Sequence, residues 1–421
     1  MKIISELTLI TLLYLIPRSI NAQGATAVPL LNIHPSANYS GIAGAYTALY
    51  DRDAFAYYYN PAHLGNFSQN ENFSLQYTYV DWLPQYSFSD LYFKAIGFSS
   101  GYNLRNLSNP IPLSIGIGYM RVNFSLGTNY YTDELGNPLG IYEAKEWYDA
   151  YSIGFCYDKF IRISAGFTFK SIVSDLSPSF NIIGFENSPG KVTVDAFDTG
   201  IQLMIPFASL YKNIFQKKNS DPLQLYPITN FSFGMVLMNV GDEINYFDTR
   251  FTDPLPREAK IGYAISLGVS AIYHEVELIP IKVSWSTEAN DLLIEWRDEK
   301  IAYQSFPGDI NILDNFLLNK SDELVLNRHG FVFDIFETFR YSFGRFSGRG
   351  FGSEGFETTG YSISSRGLFK ILTNYIESPT WKNILNHVSI QYSDASYEAV
   401  NASHPLSDTH FQSVSLNIYG F

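Results

Sequence analysis

The side chains able to do chemistry are few in this sequence, and they stand far apart. Seven histidines occupy positions 34, 63, 274, 329, 387, 404 and 410, without the close spacing that zinc sites use. His274-Glu275 lacks the second histidine of a zincin helix and falls in a segment that reads as a turn. No Gly-x-Ser-x-Gly elbow, phosphate-binding loop or dinucleotide fingerprint is present. The run Gly348-Arg349-Gly350-Phe351-Gly352 is glycine-rich, but no helix follows it, so it reads as a flexible loop tip. Cys156 is the single cysteine and sits between Phe155 and Tyr157 in a strand pattern. That excludes an internal disulfide and a cysteine-based metal cluster. No catalytic residue, cofactor or metal site emerges, and the expectation is a protein that is not an enzyme.

Three groups remain with chemistry left open. Asp51 and Asp53 together suit Ca²⁺, or Asp51 caps a turn before the hatch, and capping asks for less. Tyr57, Tyr58 and Tyr59 would line a site for a hydrophobic ligand or simply fill an interior. The segment 289–324 sets Asp291, Glu295, Asp298, Glu299, Asp309, Asp314, Asp322 and Glu323 against Arg297, Lys300 and Lys320. It reads as a solvated acidic face, or else as a docking surface for a basic partner or for ions bridging lipopolysaccharide. The net charge of −13 argues against nucleic acid, which needs basic patches. Asn-x-Ser triplets at Asn38, Asn66, Asn72, Asn106, Asn123, Asn319 and Asn401 would matter only in a eukaryotic secretory pathway.

The elements that must carry these residues are strands. Aromatics make up 16% of the chain and charged residues 16%, where about 25% charged is usual. With a mean hydropathy of −0.05, this suits a barrel whose strands are apolar on one face and whose rims carry aromatics. Ile261, Tyr263, Ile265, Leu267 and Val269 alternate with Lys260, Gly262, Ala264, Ser266 and Gly268. Leu113, Ile115, Ile117 and Tyr119 alternate with Ser114, Gly116 and Gly118. Such runs are long enough for a tilted strand to cross a bilayer, whereas no segment is long and apolar enough to span it as a helix.

Tight connections at Asp158-Lys159-Phe160 and Glu337-Thr338 set the orientation, because outer-membrane barrels turn tightly in the periplasm and loop widely outside. The expected spans are about 72–80, 91–103, 112–126, 148–157, 161–174, 192–206, 229–240, 258–273, 278–288, 325–337, 339–347, 358–372, 386–396 and 410–421. The fold class is therefore all-β, a transmembrane antiparallel β-barrel of about 14 strands. Long connections at 127–147, 175–191, 241–257 and 289–324 fall outside, while 207–228 and 373–385 are long and periplasmic. In the first of these two, Phe207, Leu210, Tyr211, Ile214 and Phe215 suggest a short amphipathic helix on the rim.

The chain begins Met1-Lys2, runs apolar from Leu7 to Ile16 and reaches Ala22, the layout of a secretory signal peptide over 1–22. Residues 23–70 carry small apolar residues and an Asn60-Pro61 turn instead of strand alternation, as a hatch or plug inside the barrel of 71–421 requires. The C-terminal Tyr419 and Phe421 resemble the signal that the barrel-assembly machinery reads, although Ser413, Ser415 and Asn417 are polar in that phase. Residence in the cell outer membrane, among its lipids, follows from these features together.

The run Gly44-Ala45-Tyr46, Ala48, Asp51, Ala54, Tyr58-Tyr59-Asn60-Pro61-Ala62 resembles the N-terminal hatch of FadL-like outer-membrane proteins, in particular the PorV/PorQ family. Later pieces fit in order: Phe233-Gly234 to Asn239-Val240-Gly241, Leu255-Pro256-Arg257 to Gly262-Tyr263-Ala264, and Gly330 to Arg340 with Gly344. The resemblance implies a fourteen-strand barrel with its hatch in the lumen, Tyr57 to Ala62 included. It also implies a role in type IX secretion, with the system's components and the C-terminal domains of secreted cargo as partners. FadL-like members proper imply the alternative, passive transport of hydrophobic small molecules.

Overall fold

The structure is a computed structural model. It describes residues 26–420 apart from 70–72, 87–89, 134, 177–189, 211–222, 247–251, 274–275, 298–299 and 401–403. The expected signal peptide and Phe421 thus lie outside the described residues. The strands are β1 Phe73–Asp81, β2 Leu91–Asn103, β3 Leu113–Thr132, β4 Pro138–Asp158, β5 Arg162–Asp175, β6 Lys191–Pro206, β7 Leu223–Gly241 and β8 Glu258–Tyr273. They continue with β9 Val276–Leu292, β10 Ile294–Arg297, β11 Lys300–Tyr303, β12 Val325–Ile335, β13 Phe339–Gly348, β14 Gly352–Ser364, β15 Val388–Ala399 and β16 Thr409–Ile418. β10 and β11 form a separate hairpin, and the other fourteen close into one antiparallel barrel in which β1 pairs with β16.

Alternation decides which side chain faces where. On β8, Ile265 and Leu267 point out and are exposed, while Ala264 and Lys260 point in and are buried. The same holds on β4, where Tyr151, Ile153 and Phe155 are exposed beside buried Ala150 and Cys156. A continuous apolar belt of this size on a water-soluble surface would be costly. Against hydrocarbon it costs nothing, and closure removes the edge strands that a bilayer cannot satisfy. No helix among the described residues is long and apolar enough to cross a membrane. The wall crosses with strands.

Several elements differ from the expectation, among them β7, which begins at Leu223 rather than 229, and the loop 289–324, which holds the β10–β11 hairpin. The segment 127–147 is mostly strand, since β3 and β4 continue as a hairpin past Leu126 and Lys145, where their outer neighbours β2 and β5 stop pairing. The expected strand 358–372 ends at Ser364, and Arg366–Leu372 is a helix, α5. The long connection 373–385 holds a further helix, α6, Pro379–His387. The glycine-rich tip at 348–352 is not free: Phe351 packs edge-on against Phe346 (5.0 Å), and Arg349 Nη2 donates to Glu258 Oε1 at 2.8 Å. In the connection after β6, Phe207–Leu210 is a single helical turn, α4, and Tyr211, Ile214 and Phe215 lie outside the described residues.

Candidate functional site

The N-terminal segment lies within the barrel. Its regular pieces are short: α1 Ala37–Ser40, α2 Ala56–Tyr59 and α3 His63–Phe67. A segment with so little secondary structure must find partners for its backbone elsewhere. The wall supplies them. Glu288 Oε2 accepts from Thr47 N (3.0 Å), Arg328 Nη1 donates to Ala43 O (2.7 Å), Gln202 Nε2 donates to Ala48 O (2.6 Å) and Ser413 Oγ accepts from Ala37 N (3.1 Å). These inward charges and amides tie the hatch to the wall where its own short turns, such as Ser40 N to Ser36 O and Asn60 N to Ala56 O, leave backbone groups over.

Glycine lets the hatch come that close. Gly101 stands opposite Gly116, Gly116 opposite Gly154, Gly154 opposite Gly166 and Gly166 opposite Gly200, all facing inward on adjacent strands. A Cβ on Gly166 would sit 2.3 Å from Pro61 C, and one on Gly116 would sit 2.4 Å from Leu64 O. Gly234, on the next strand β7, would meet Thr47 O at 2.2 Å. The glycines form a belt against which hatch backbone rests directly on wall backbone.

The belt divides two kinds of lumen. On the loop side, the inward residues include Phe93, Phe124, Tyr148, Phe346, Phe356 and Phe411, buried against Val28, Leu30 and Leu31 of the hatch. The described parts of the connection 241–257 fold inward over them: Leu255 and Ile244 are buried, and Ala27 N donates to Pro254 O at 2.9 Å. On the turn side the inward residues are polar, and they surround a cavity of about 240 Å³ lined by Arg162, Lys282, Asp334, Arg340, Ser362 and Tyr419, among others. Lumens of such barrels are ordinarily polar throughout. Here the loop-side half sets an aromatic cluster beside buried ion pairs, Lys170 with Asp198 at 2.8 Å and Lys260 with Glu258 at 3.5 Å.

An ion network joins the hatch to the wall at the boundary of the polar half. Arg340 pairs with Asp51 of the hatch and with Asp334 of β12 (2.7 Å), and Lys282 pairs with Asp334 at 3.1 Å. Capping falls to Asp53 rather than Asp51. Its Oδ1 accepts from Phe55 N (2.8 Å), and its Oδ2 accepts from Ser36 Oγ (2.6 Å) and Asn38 Nδ2 (3.0 Å). Burial nonetheless raises the Asp53 carboxyl above its ordinary value, and the three donors offset this in part. No cluster of histidine, cysteine and carboxylate suited to a metal occurs among the described residues.

The residues singled out from sequence lie together in the hatch core. Tyr57, Tyr58 and Tyr59 are buried, and Tyr58 Oη donates to Leu31 O at 2.8 Å. Tyr59 meets the rings of Tyr39 (4.9 Å) and Tyr58 (4.9 Å) edge-on, an arrangement that aromatic quadrupoles favour. None of the three lines the polar cavity. Asn60 cross-links hatch and wall, donating from Nδ2 to Thr47 O (2.9 Å) and Ile201 O (3.1 Å) while Oδ1 accepts from Ala62 N (3.0 Å). Pro61 and Ala62 lie against Gly166. His63 donates from Nε2 to Tyr46 O at 2.9 Å, and burial holds its pKa down at about 4, so the ring is neutral. Tyr419 points into the lumen, bonded to Ser389 Oγ at 2.7 Å, with Arg366 of α5 over its ring at 3.7 Å. The belt and the Arg340 network escaped the sequence reading, although glycine and charge in the inward phase were its visible trace.

No protein-family model matches this chain, and no curated protein sequence matches it either. Among solved structures it is similar to the toluene transporter TodX of Pseudomonas putida, at 12% identity and TM-score 0.42 over 90% of this chain and 96% of that one. It is similar to the toluene transporter TbuX of Ralstonia pickettii, at 10% identity and TM-score 0.40 over 90% of this chain and 98% of that one. A FadL homologue of Pseudomonas aeruginosa follows at 9% identity and TM-score 0.38, over 91% and 97%. Likenesses this distant assign neither a family nor a substrate.

Proposed function

We propose that this protein resides in the outer membrane and passes small hydrophobic molecules inward through a lumen closed by its hatch. Export with cleavage after Ala22 and insertion by the barrel-assembly machinery belong to the same proposal. The observation that carries it is the cluster of inward aromatic side chains in the loop-side half of the lumen. Phe93, Phe124, Phe356 and Phe411 point inward and are covered by the hatch, and once the hatch shifts they offer an apolar solute a surface that replaces its hydration. The polar vestibule below the belt then offers release toward water. Between them the hatch must shift, since its side chains fill the upper lumen.

The test is uptake across an intact outer membrane by cells expressing the protein. A radiolabelled aromatic hydrocarbon should enter several-fold faster than in vector controls, while a sugar of similar size should not. Equal acceleration of both solutes would make the barrel an ordinary pore and defeat the proposal.

The type IX role is the second reading, and the hairpin past residue 126 favours it. There β3 and β4 pair only with each other among the described residues, and Tyr130, Leu135, Leu139 and Ile141 are exposed on a ribbon that stands clear of the rim. Replacing 127–144 by a tight turn should abolish co-purification of secreted proteins under this reading. Under the transporter reading it should leave hydrocarbon uptake unchanged.

A further inference from the structure

The connection from β9 to β12 does not stand in solvent. It turns back over the outer face of the wall as a flap. Phe316 packs edge-on against the outward rings of Phe233 (5.8 Å) and Tyr263 (5.2 Å), and Tyr263 Oη donates to Leu317 O at 3.4 Å. Ile261, Ala289 and Val325 of the wall form a second core with Leu293 and Ile310.

Beneath the flap lies a polar strip on the side of the wall that faces outward. Thr287 Oγ1 donates to Asn319 Oδ1 (2.8 Å), Asn327 Nδ2 donates to Asn315 O (2.6 Å), and Asp291 Oδ2 accepts from Asp309 N (2.7 Å). Bare of the flap, these groups would face the lipid interface without partners.

The side of the flap turned away from the wall is apolar. A π-helical turn, Ile312–Leu317, buries Asn315 toward the wall. Ile312, Leu313, Leu317 and Leu318 point away and are 66%, 60%, 52% and 55% exposed. Asp314, the charged group beside them, is paired with Lys320 at 3.0 Å. The height of this turn is fixed by its contact with Tyr263, which also meets Trp285 at 5.4 Å. Tyr263 and exposed Tyr273 stand ten positions apart on β8. At ~3.3 Å per residue and a tilt of ~40° that is ~25 Å, the height of the apolar band in such barrels. Tyr263 therefore marks the upper aromatic girdle, and the aliphatic face of the turn continues the lipid-facing belt sideways at that level.

We propose that residues 311–318 are an interfacial anchor that inserts this aliphatic face into the outer leaflet and so keeps the flap closed over the polar strip. The occupant is lipid hydrocarbon, argued from the continuity of the face with the belt. The inference rests on the membrane reading of the barrel and goes beyond it, because it assigns the flap to lipid rather than to a soluble partner.

Spin labels at Leu313→Cys, Leu267→Cys and Leu135→Cys, each in a Cys156→Ser background, test it in the full chain reconstituted in bilayer discs. Leu267 lies on the wall, and Leu135 at the tip of the projecting hairpin. Collisions with oxygen report lipid, and collisions with a nickel chelate report water. The label at 313 should resemble that at 267, with a several-fold excess of oxygen over nickel collisions, and should differ from that at 135. A nickel-dominated label at 313 beside an oxygen-dominated label at 267 overturns the anchor and leaves the barrel standing. A nickel-dominated label at 267 overturns the membrane reading, and the anchor with it. Independently, Leu313→Asp with Leu317→Asp should raise cleavage of the flap by protease added to intact cells several-fold. Unchanged cleavage contradicts the anchor.

Discussion

Arg340 shows what a single residue does in this lumen. Its guanidinium answers two carboxylates, one from the hatch and one from β12, and all three side chains are largely shielded from water. Removing one partner from such a set leaves uncompensated charge, at a cost of about 3–5 kcal/mol. Arg340→Gln should therefore lower the unfolding temperature of the barrel and, by freeing Asp51, raise its conductance in planar bilayers. A variant with unaltered conductance would show that Asp51 does not latch the hatch. At the C-terminus, two aromatics are expected to do different work. Tyr419 packs inward beneath Arg366, so Tyr419→Ala should destabilise the assembled barrel by roughly 3 kcal/mol without reducing how much of it is made. If the barrel-assembly machinery reads Phe421, as proposed, Phe421→Ala should instead lower outer-membrane levels and raise periplasmic degradation. Equal behaviour of the two variants in both assays would remove that distinction.

Among the elements, the glycine belt fixes how near the hatch lies to the wall. Gly166→Ala puts a methyl group where Pro61 stands, and overpacking of this kind costs about 1–3 kcal/mol. The strand can keep its ladder, so the variant should still resist SDS unless heated while conducting more than the parent. In a barrel deleted for the hatch, Gly166→Ala should add nothing. Increased conductance in that background would place the effect in the wall. The belt also shows how far the sequence could be read. Gly116 and Gly118 alternating with Ile115 and Ile117 disclosed the inward phase of β3. That Gly116, Gly154, Gly166 and Gly200 fall side by side depends on register across four strands, which no single run of residues encodes. Strand ends were lost where the contrast between faces fades. Beyond Leu126 the ribbon has no core face and no lipid face, so Asn129-Tyr130-Tyr131-Thr132 looks like a loop. The apolar run after Ser364 is short, and periodicity alone did not tell the helix α5 from a strand.

For the whole molecule, the closed ladder sets the boundary with lipid, and the inward side chains set what the interior tolerates. The outward phase was legible because the bilayer demands it of every strand. The inward phase was not, because it answers to a hatch whose path across the lumen is tertiary. Hence the tyrosines of the hatch were found, while the aromatic half-lumen above them and the charged network below were missed. Under the proposed function, the upper lumen passes hydrophobic solutes only when the hatch moves. Asn38 of the hatch accepts from Ser393 of β15 at 2.9 Å, which places a tether within reach. Asn38→Cys with Ser393→Cys, in the Cys156→Ser background, can be oxidised in intact cells and assayed for hydrocarbon uptake. Uptake should fall to the level of vector controls on oxidation and return on addition of a reductant. Full uptake by the oxidised, verifiably cross-linked protein would contradict the account.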